Sequence, residues 1–175
     1  MGVGAETLLA AGVAAPVPGD DLFGPAEGVD RAAEHLAALG AALAGPDAYE
    51  AARIKAGVPR FGADLTPENF PGEAGVLDRA VDFGKGCYPG QETVARMRYR
   101  GHPNKTLYRL SFAGEAPAPN TLIFQGEKRV GTVTSVSPIP VEGEILALGY
   151  LSRSADLEAP IAAPGYEVRV LGAVS

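Results

Sequence analysis

The stretch at residues 106–112, which reads TLYRLSF, decides the fold class of the C-terminal part of the chain. Tyr108, Leu110 and Phe112 alternate with the intervening side chains, which is the period-two pattern of a half-buried β-strand. Four further strand-like runs follow, separated by Gly and Pro turns: 121–124, 130–136, 144–151 and 167–170. Several short strands at this spacing predict a small antiparallel β-barrel or sandwich over residues 104–175.

The chain before residue 104 has a different character. Apolar positions at helical spacing predict a first helix that begins at an N-cap, Asp30, and ends at Gly45. Further helices are expected over residues 48–55 and 91–97, and the Gly-, Pro- and Asp-rich residues 60–84 predict an ordered loop region. The expected fold class is therefore α+β, with a partial α/β region at 1–103 followed by the barrel.

Composition excludes several classes of protein. The chain has 175 residues and 21 acidic against 15 basic side chains, and its net charge of −6 is unlike that of a generic nucleic-acid binder. Cys87 is the only cysteine, which excludes a disulfide framework, a Cys-rich zinc site and a self-sufficient iron–sulfur cluster. No apolar run is long enough to span a bilayer. We expect a cytoplasmic protein with no membrane partner and no metal ligands.

The octapeptide KGCYPGQE at residues 85–92 is the most unusual stretch. Lys85 and the thiol of Cys87 precede the predicted helix at 91–97, and a nearby ammonium and a helix N-terminus both lower a thiol pKa. This pattern favours a reactive residue pair, Lys85 and Cys87. The alternative is that Cys87 is a small filler in a turn, as free cysteines often are.

Residues 85–109 also concentrate positive charge. They contain one acid, Glu92, and six basic side chains: Lys85, Arg96, Arg98, Arg100, Lys105 and Arg109. A basic segment in an acidic protein indicates an anionic partner, and a polyglutamylated cofactor tail or an RNA phosphate run would fit. A solvated surface that balances the acidic remainder is an equally good explanation.

The octapeptide resembles the K-G-C-Y/F-x-G-Q-E signature of the YgfZ-type folate-binding proteins, which are relatives of the glycine-cleavage aminomethyltransferases. Flanking stretches agree with the family's pattern in order and spacing: 53–59 with R-x-E-A-G-x-P, 62–64 with G-x-D, 71–75 with P-x-E-A-G, and 94–101 with V-A-R…R-G. Lys55 stands where the family usually has an acid. The resemblance is dense from about residue 48 to 112 and extends in weaker form to a final small barrel.

This resemblance implies a tetrahydrofolate-binding accessory protein that supports iron–sulfur cluster assembly or repair and, through it, tRNA-modifying iron–sulfur enzymes. It implies that Arg53 contacts the folate, since a guanidinium pairs with carboxylates and stacks on flat rings. Arg96 is expected to join it. Asp64 and Glu73 are expected to be either pterin partners or loop caps, with capping favoured.

Members of this family are typically about twice as long as this chain, in the range of multidomain proteins. The chain resembles a member that begins inside the second domain. Three explanations are open: the rest of the pocket lies on another polypeptide, two copies assemble, or the sequence is a truncated reading frame. Two alternatives remain for its function. One is aminomethyl transfer to tetrahydrofolate, as in the glycine-cleavage enzymes, and the other is tRNA binding by residues 85–109.

Overall fold

A computed structural model describes residues 24–42, 44–99 and 103–174. The chain divides into two compact units, Met1–Gly45 and Pro46–Ser175. The described part of the first unit contains helix α1, Ala26–Ala38. This helix begins before the predicted N-cap, Asp30, and ends well before Gly45.

The early end of α1 has a local cause in the sequence. Gly40 has a φ of +91°, its N–H donates to the Ala37 carbonyl, and the Ala41 N–H donates to the Leu36 carbonyl. This pair of bonds is a Schellman motif, which ends a helix where glycine takes up the left-handed conformation. Leu39 lies outside the helix and is 63% exposed, so it is not part of a buried helical stripe.

The second unit opens with three helices. They are α2, Pro46–Ala56; α3, Leu77–Ala80; and α4, Gln91–Tyr99. The predicted helices at 48–55 and 91–97 are confirmed, each with slightly wider bounds. The predicted loop region at 60–84 consists mostly of turns and loops and is interrupted by the single turn of α3, and turns and loops continue to residue 90. No helix within the described ranges is long and apolar enough to cross a membrane.

Six antiparallel strands follow and close into a barrel in the order β1-β4-β3-β2-β5-β6. The strands are β1, Lys105–Ala113; β2, Leu122–Gln125; β3, Lys128–Val136; β4, Glu144–Ser152; β5, Ile161–Ala163; and β6, Tyr166–Ala173. The α+β class and the C-terminal barrel are therefore confirmed. The division of the chain at residue 103 stays a prediction, although β1 begins at Lys105.

Strand β4 is buried on both of its faces, and this positions the candidate site. On one face Ala147 and Leu151 pack into the barrel interior with Leu110 and Phe112 of β1. On the other face, Leu146, Leu148 and Tyr150 pack in a second cluster with Ile54 of α2 and Ala74 of the loop region. A half-buried strand, by contrast, packs only one of its two faces against a core. The second cluster thus fixes α2 and residues 60–76 against the outside of the barrel.

Candidate functional site

Arg53 lies at the centre of a buried hydrogen-bond network between α2 and the barrel. Its side chain is 4% exposed. Nη1 donates to Asp64 Oδ2 at 2.9 Å and to the Val58 carbonyl at 2.8 Å, and Nη2 donates to Glu50 Oε2 at 2.8 Å and to Ser135 Oγ at 3.0 Å. Nε faces the Glu50 carboxylate at 3.3 Å. Since a guanidinium has five N–H donors, the chain itself uses all of them.

Asp64 is the acceptor that joins three segments of the chain. Its side chain is fully buried. Besides Arg53, Oδ2 accepts the Arg60 backbone N–H at 3.0 Å, and Oδ1 accepts the Thr134 hydroxyl of β3. The Tyr150 hydroxyl donates to the Asp64 carbonyl at 3.0 Å. A buried carboxylate needs such partners to offset its desolvation, so Asp64 caps the turn at 60–64, as favoured from the sequence.

Glu50 completes the network from the solvent side, where its side chain is 21% exposed. Hydrogen bonds from Arg53 lower its pKa, burial opposes this effect, and the charges of Arg53 and Arg60 lower the pKa further. The pKa of Arg53 is raised in turn: burial alone would lower it, but the hydrogen bond to Glu50 and the charges of Asp64 and Glu50 outweigh burial.

The lowered pKa of Glu50 predicts a pH-dependent contribution to stability. Since its folded pKa lies below its ordinary value of 4.5, the contribution is fully present above about pH 4.5 and is lost as the pH falls through the folded pKa. We expect Glu50→Gln to lower the free energy of unfolding by about 1–2 kcal/mol at pH 7. The deficit should shrink below pH 4.5. Urea titrations at several pH values measure it, and a constant deficit from pH 7 to pH 3 would contradict it. The exposed Glu127→Gln is the control.

A cavity of about 700 Å³ lies beside this network, and we call it the main cavity. Asp64, Glu73 and Tyr150 contribute to its lining, together with residues of β3. Glu73 is buried, and its Oε2 accepts the Phe70 backbone N–H at 3.2 Å, so this carboxylate also caps a turn. Lys105 lies 3.8 Å from Glu73 Oε2 and 4.8 Å from the centre of the Tyr150 ring.

Tyr150 is a residue of the site that sequence reasoning did not single out. Burial, and then the charges of Glu73 and Asp64, raise the pKa of its phenol well above the ordinary value. The hydroxyl therefore stays protonated and acts as a donor at any physiological pH. A signal was present in the sequence, since Tyr150 occupies an alternate position of the strand-like run at 144–151 and a buried tyrosine usually has a hydrogen-bond partner.

A smaller cavity of about 290 Å³ adjoins the main cavity, and we call it the side cavity. The two share Ala63, Asn120 and Thr134 as lining residues. Glu50 and Arg60 contribute the charged wall of the side cavity. Both cavities are thus lined in part by residues of the turn at 60–64.

The predicted reactive pair lies on a separate loop, ahead of α4. Cys87 is an exposed free thiol. The Lys85 ammonium lies 4.2 Å from the centre of the Tyr88 ring, where a cation–π contact holds it. Neither residue lines the main or the side cavity. Their predicted chemical role stays a prediction, and the filler interpretation of Cys87 does not fit its exposure.

The structure thus brings Arg53, Asp64 and Glu73 to one place, beside the main cavity. Arg96 lies within α4, and its side chain falls outside the described part of the structure. Of the basic segment, Lys105 contacts Glu73, whereas Arg109 donates to the Lys55 carbonyl at 3.3 Å. The described ranges contain no group of three or more His, Cys, Asp or Glu side chains that could hold a metal ion.

Comparison with known proteins relates this chain to two named groups. A tRNA-modifying protein YgfZ from Vibrio vulnificus is 41% identical over 86 residues, which cover 49% of this chain and 25% of the relative. An aminomethyltransferase from Corynebacterium aurimucosum is 35% identical over 124 residues, which cover 70% of this chain and 32% of the relative. No family profile matches the chain.

A solved structure shares the fold. The glycine cleavage system aminomethyltransferase T from Bartonella henselae superposes with a TM-score of 0.62 at 21% identity, covering 88% of this chain and 44% of that one. The closed barrel and the helices beside it therefore define an aminomethyltransferase-like fold. In sequence the chain is similar both to YgfZ-type proteins and to an aminomethyltransferase. The chain spans about a quarter to a third of the length of the curated relatives it matches.

Proposed function

We propose that this chain binds a reduced folate in the main cavity and serves tRNA modification as an accessory protein. The observation that carries the proposal is that Asp64 and Glu73, the acids of the family's G-x-D and P-x-E-A-G stretches, both line one cavity of about 700 Å³. Ligand cavities in proteins usually measure about 300–1,000 Å³. The similarity to a tRNA-modifying YgfZ protein supplies the tRNA-modification part of the proposal.

The polar groups around the main cavity suit the two ends of a folate. The pterin carries amide and amino N–H groups that a carboxylate accepts, and the glutamate tail carries carboxylates that cations bind. Glu68 and Glu73 contribute acceptors to the lining, and Arg129 and Lys105 contribute cations. The lining of the main cavity therefore contains both kinds of polar group, acceptors and cations, that a folate needs. When bound, tetrahydrofolate would supply the capacity to carry a one-carbon unit.

In this proposal Arg53 acts through Asp64. Its N–H donors are all bonded within the chain, so the direct folate contact expected from the resemblance would require Arg53 to exchange one of these partners. We therefore assign Arg53 a positioning role that holds the turn at 60–64 beside the cavity. Lys85, Cys87 and Arg96 stay proposed members of the functional signature, on the sequence resemblance alone.

The partners follow from the same resemblance and are also proposals. They are iron–sulfur proteins, and through these the enzymes that modify tRNA, in a cytoplasmic setting. The relatives are longer than the matched region. Completion of the pocket by further residues of a longer protein, by another polypeptide or by a second copy of this chain is part of the proposal. The iron–sulfur role would show as lowered activity of such enzymes in cells that lack this protein.

Folate binding predicts a rise in melting temperature. A ligand that binds only the folded state stabilises it by about 2.7 kcal/mol at a hundredfold excess over Kd, which is about 5–10 °C for a chain of this size. We expect tetrahydrofolate, kept reduced under argon, to produce this shift in the full chain. Arg129→Gln removes a cation from the cavity lining and should reduce the shift in melting temperature. Lys128→Gln, a change at the exposed neighbouring residue, should leave the shift unchanged. No shift at millimolar tetrahydrofolate would refute binding by this chain.

The match to an aminomethyltransferase favours a second candidate function, aminomethyl transfer to tetrahydrofolate. The two candidates differ in their product. Incubation with an aminomethylated lipoyl carrier and tetrahydrofolate yields methylenetetrahydrofolate, ammonia and the dihydrolipoyl carrier if the chain is a transferase. An accessory protein binds the folate and yields neither.

A further inference from the structure

A cavity of about 360 Å³ shares no lining residue with the main or the side cavity, and we call it the basic cavity. Its floor is apolar and is formed by Ile54 of α2 and Leu146 of β4, both buried, with Val141 and Leu171 beside them. Such a floor favours a ligand with an apolar body, because burying that body removes apolar surface from water.

Charged side chains surround this floor. Two of the cations are already neutralised: Lys55 pairs with Glu142 at 2.6 Å, and Arg169 pairs with Glu144. The third cation is Arg109, and no carboxylate of the described residues forms an ion pair with it. Its Nη1 donates to the Lys55 carbonyl at 3.3 Å, and neither Nε nor Nη2 has an acceptor among the described residues. Arg109 thus leaves the basic cavity with one uncompensated positive charge.

The fold holds Arg109 in this place. The pairing of β1 with β6 shifts register between Arg109 and Leu110, so Arg109 lies opposite Gly172 at a β-bulge. A methyl group added at Gly57 would approach Arg109 Cδ to 3.3 Å, and one added at Gly172 would approach Nη2 to 3.6 Å. The arginine stem therefore runs between two positions that lack side chains. Bulges often redirect a side chain in this way at functional sites.

We propose that the basic cavity binds a small monocarboxylate with a compact apolar body, held by the Arg109 guanidinium. A carboxylate matches the paired N–H donors of a guanidinium and brings the single negative charge that the lining lacks. A phosphate would bring about two charges and no apolar surface. This suits neither Arg109, the one cation among the described lining residues without an ion-pair partner, nor the apolar floor. This site is independent of the proposed folate site.

Sodium benzoate is the probe that tests this proposal. In a titration of the isotope-labelled full chain followed by NMR, we expect the Arg109 side-chain Nε–H signal and the Leu171 amide to shift, with a Kd of about 1 mM. Benzamide, which has the same shape and no charge, should bind at least about tenfold more weakly. Inorganic phosphate should not compete with benzoate at equal concentration.

Variants assign the binding to Arg109. Arg109→Gln should weaken benzoate binding about tenfold, and Lys128→Gln, outside the cavity, should leave it unchanged. Lys55→Glu changes a side chain that is 53% exposed, so it keeps the fold, and the added negative charge should also weaken binding severalfold. The proposal would be overturned if benzamide bound as tightly as benzoate or if phosphate were preferred over benzoate. It would also be overturned if Arg109→Gln or Lys55→Glu bound benzoate as well as the native chain does, or if the native chain bound no benzoate at 20 mM.

Discussion

Replacement of Asp64 by alanine is expected to lower the free energy of unfolding by about 3–5 kcal/mol. The change leaves Arg53 buried with one of its two carboxylate partners removed, and it leaves the Arg60 N–H without an acceptor. Removing one member of a buried ion pair costs more than the pair contributes, because the remaining charge loses its compensation. Urea unfolding followed by far-ultraviolet circular dichroism or tyrosine fluorescence measures the loss, since the chain has six tyrosines and no tryptophan.

The variant Asp64→Asn separates charge from hydrogen bonding. Its amide oxygen can accept from Arg53 and Arg60, while its NH₂ group meets the Thr134 oxygen. Thr134 Oγ1 also lies 3.1 Å from the Leu148 carbonyl, so its hydroxyl can turn to donate there and accept from the asparagine. We therefore expect a smaller loss of about 1–3 kcal/mol. The exposed Asp156→Asn, which keeps its turn, is the control. Equal stability of Asp64→Ala and the native chain would show that the network contributes nothing.

The barrel could be predicted because its evidence is local. In β1 the alternation of apolar side chains at residues 106–112 reports one buried face directly, and Gly and Pro mark the turns between strands. Strand β5, Ile161–Ala163, escaped prediction because three residues cannot display a period of two. It joins the barrel by pairing with β6, where Ile161 lies opposite Val168. The sequence of a three-residue segment does not indicate such a pairing.

Helix α1 shows that a helix-ending glycine can outweigh apolar periodicity. The prediction took apolar positions at helical spacing to continue the helix as far as Gly45. The chain instead ends the helix at the earlier glycine, Gly40, whose Schellman bonds satisfy the last carbonyls. Capping outweighs periodicity here, because Leu39 remains exposed and offers little burial energy to extend the helix.

The candidate site could be predicted only in part, for reasons of distance along the chain. Glu50 and Arg53 are three residues apart on α2, and that spacing alone places their side chains together. The hydrogen bond from Arg53 to Ser135 joins positions that are 82 residues apart in the sequence, and no local sequence pattern indicates it. The family resemblance implied that the Arg53 guanidinium contacts a folate, whereas the fold supplies acceptors for all of its donors.

The glycines of β3 and β4 predict a second large loss of stability. A methyl group at Gly131 would lie 2.4 Å from the Tyr150 carbonyl oxygen, and one at Gly149 would lie 2.9 Å from the Thr132 carbonyl oxygen. Both oxygens belong to strand backbone, so they can move only if neighbouring ladder bonds stretch. We expect Gly131→Ala and Gly149→Ala each to cost about 3 kcal/mol or more, at the upper end of overpacking effects.

The control for this prediction is Gly86→Ala in the octapeptide, where an added methyl group meets nothing within 4 Å. That variant should stay within about 0.5 kcal/mol of the native chain. Gly131→Ala has a second consequence, because displacing the Tyr150 backbone pulls its hydroxyl away from the Asp64 carbonyl. It should therefore weaken tetrahydrofolate stabilisation more than Gly149→Ala does. Native stability of both barrel variants would mean that β3 and β4 lie farther apart than the contacts at these glycines require.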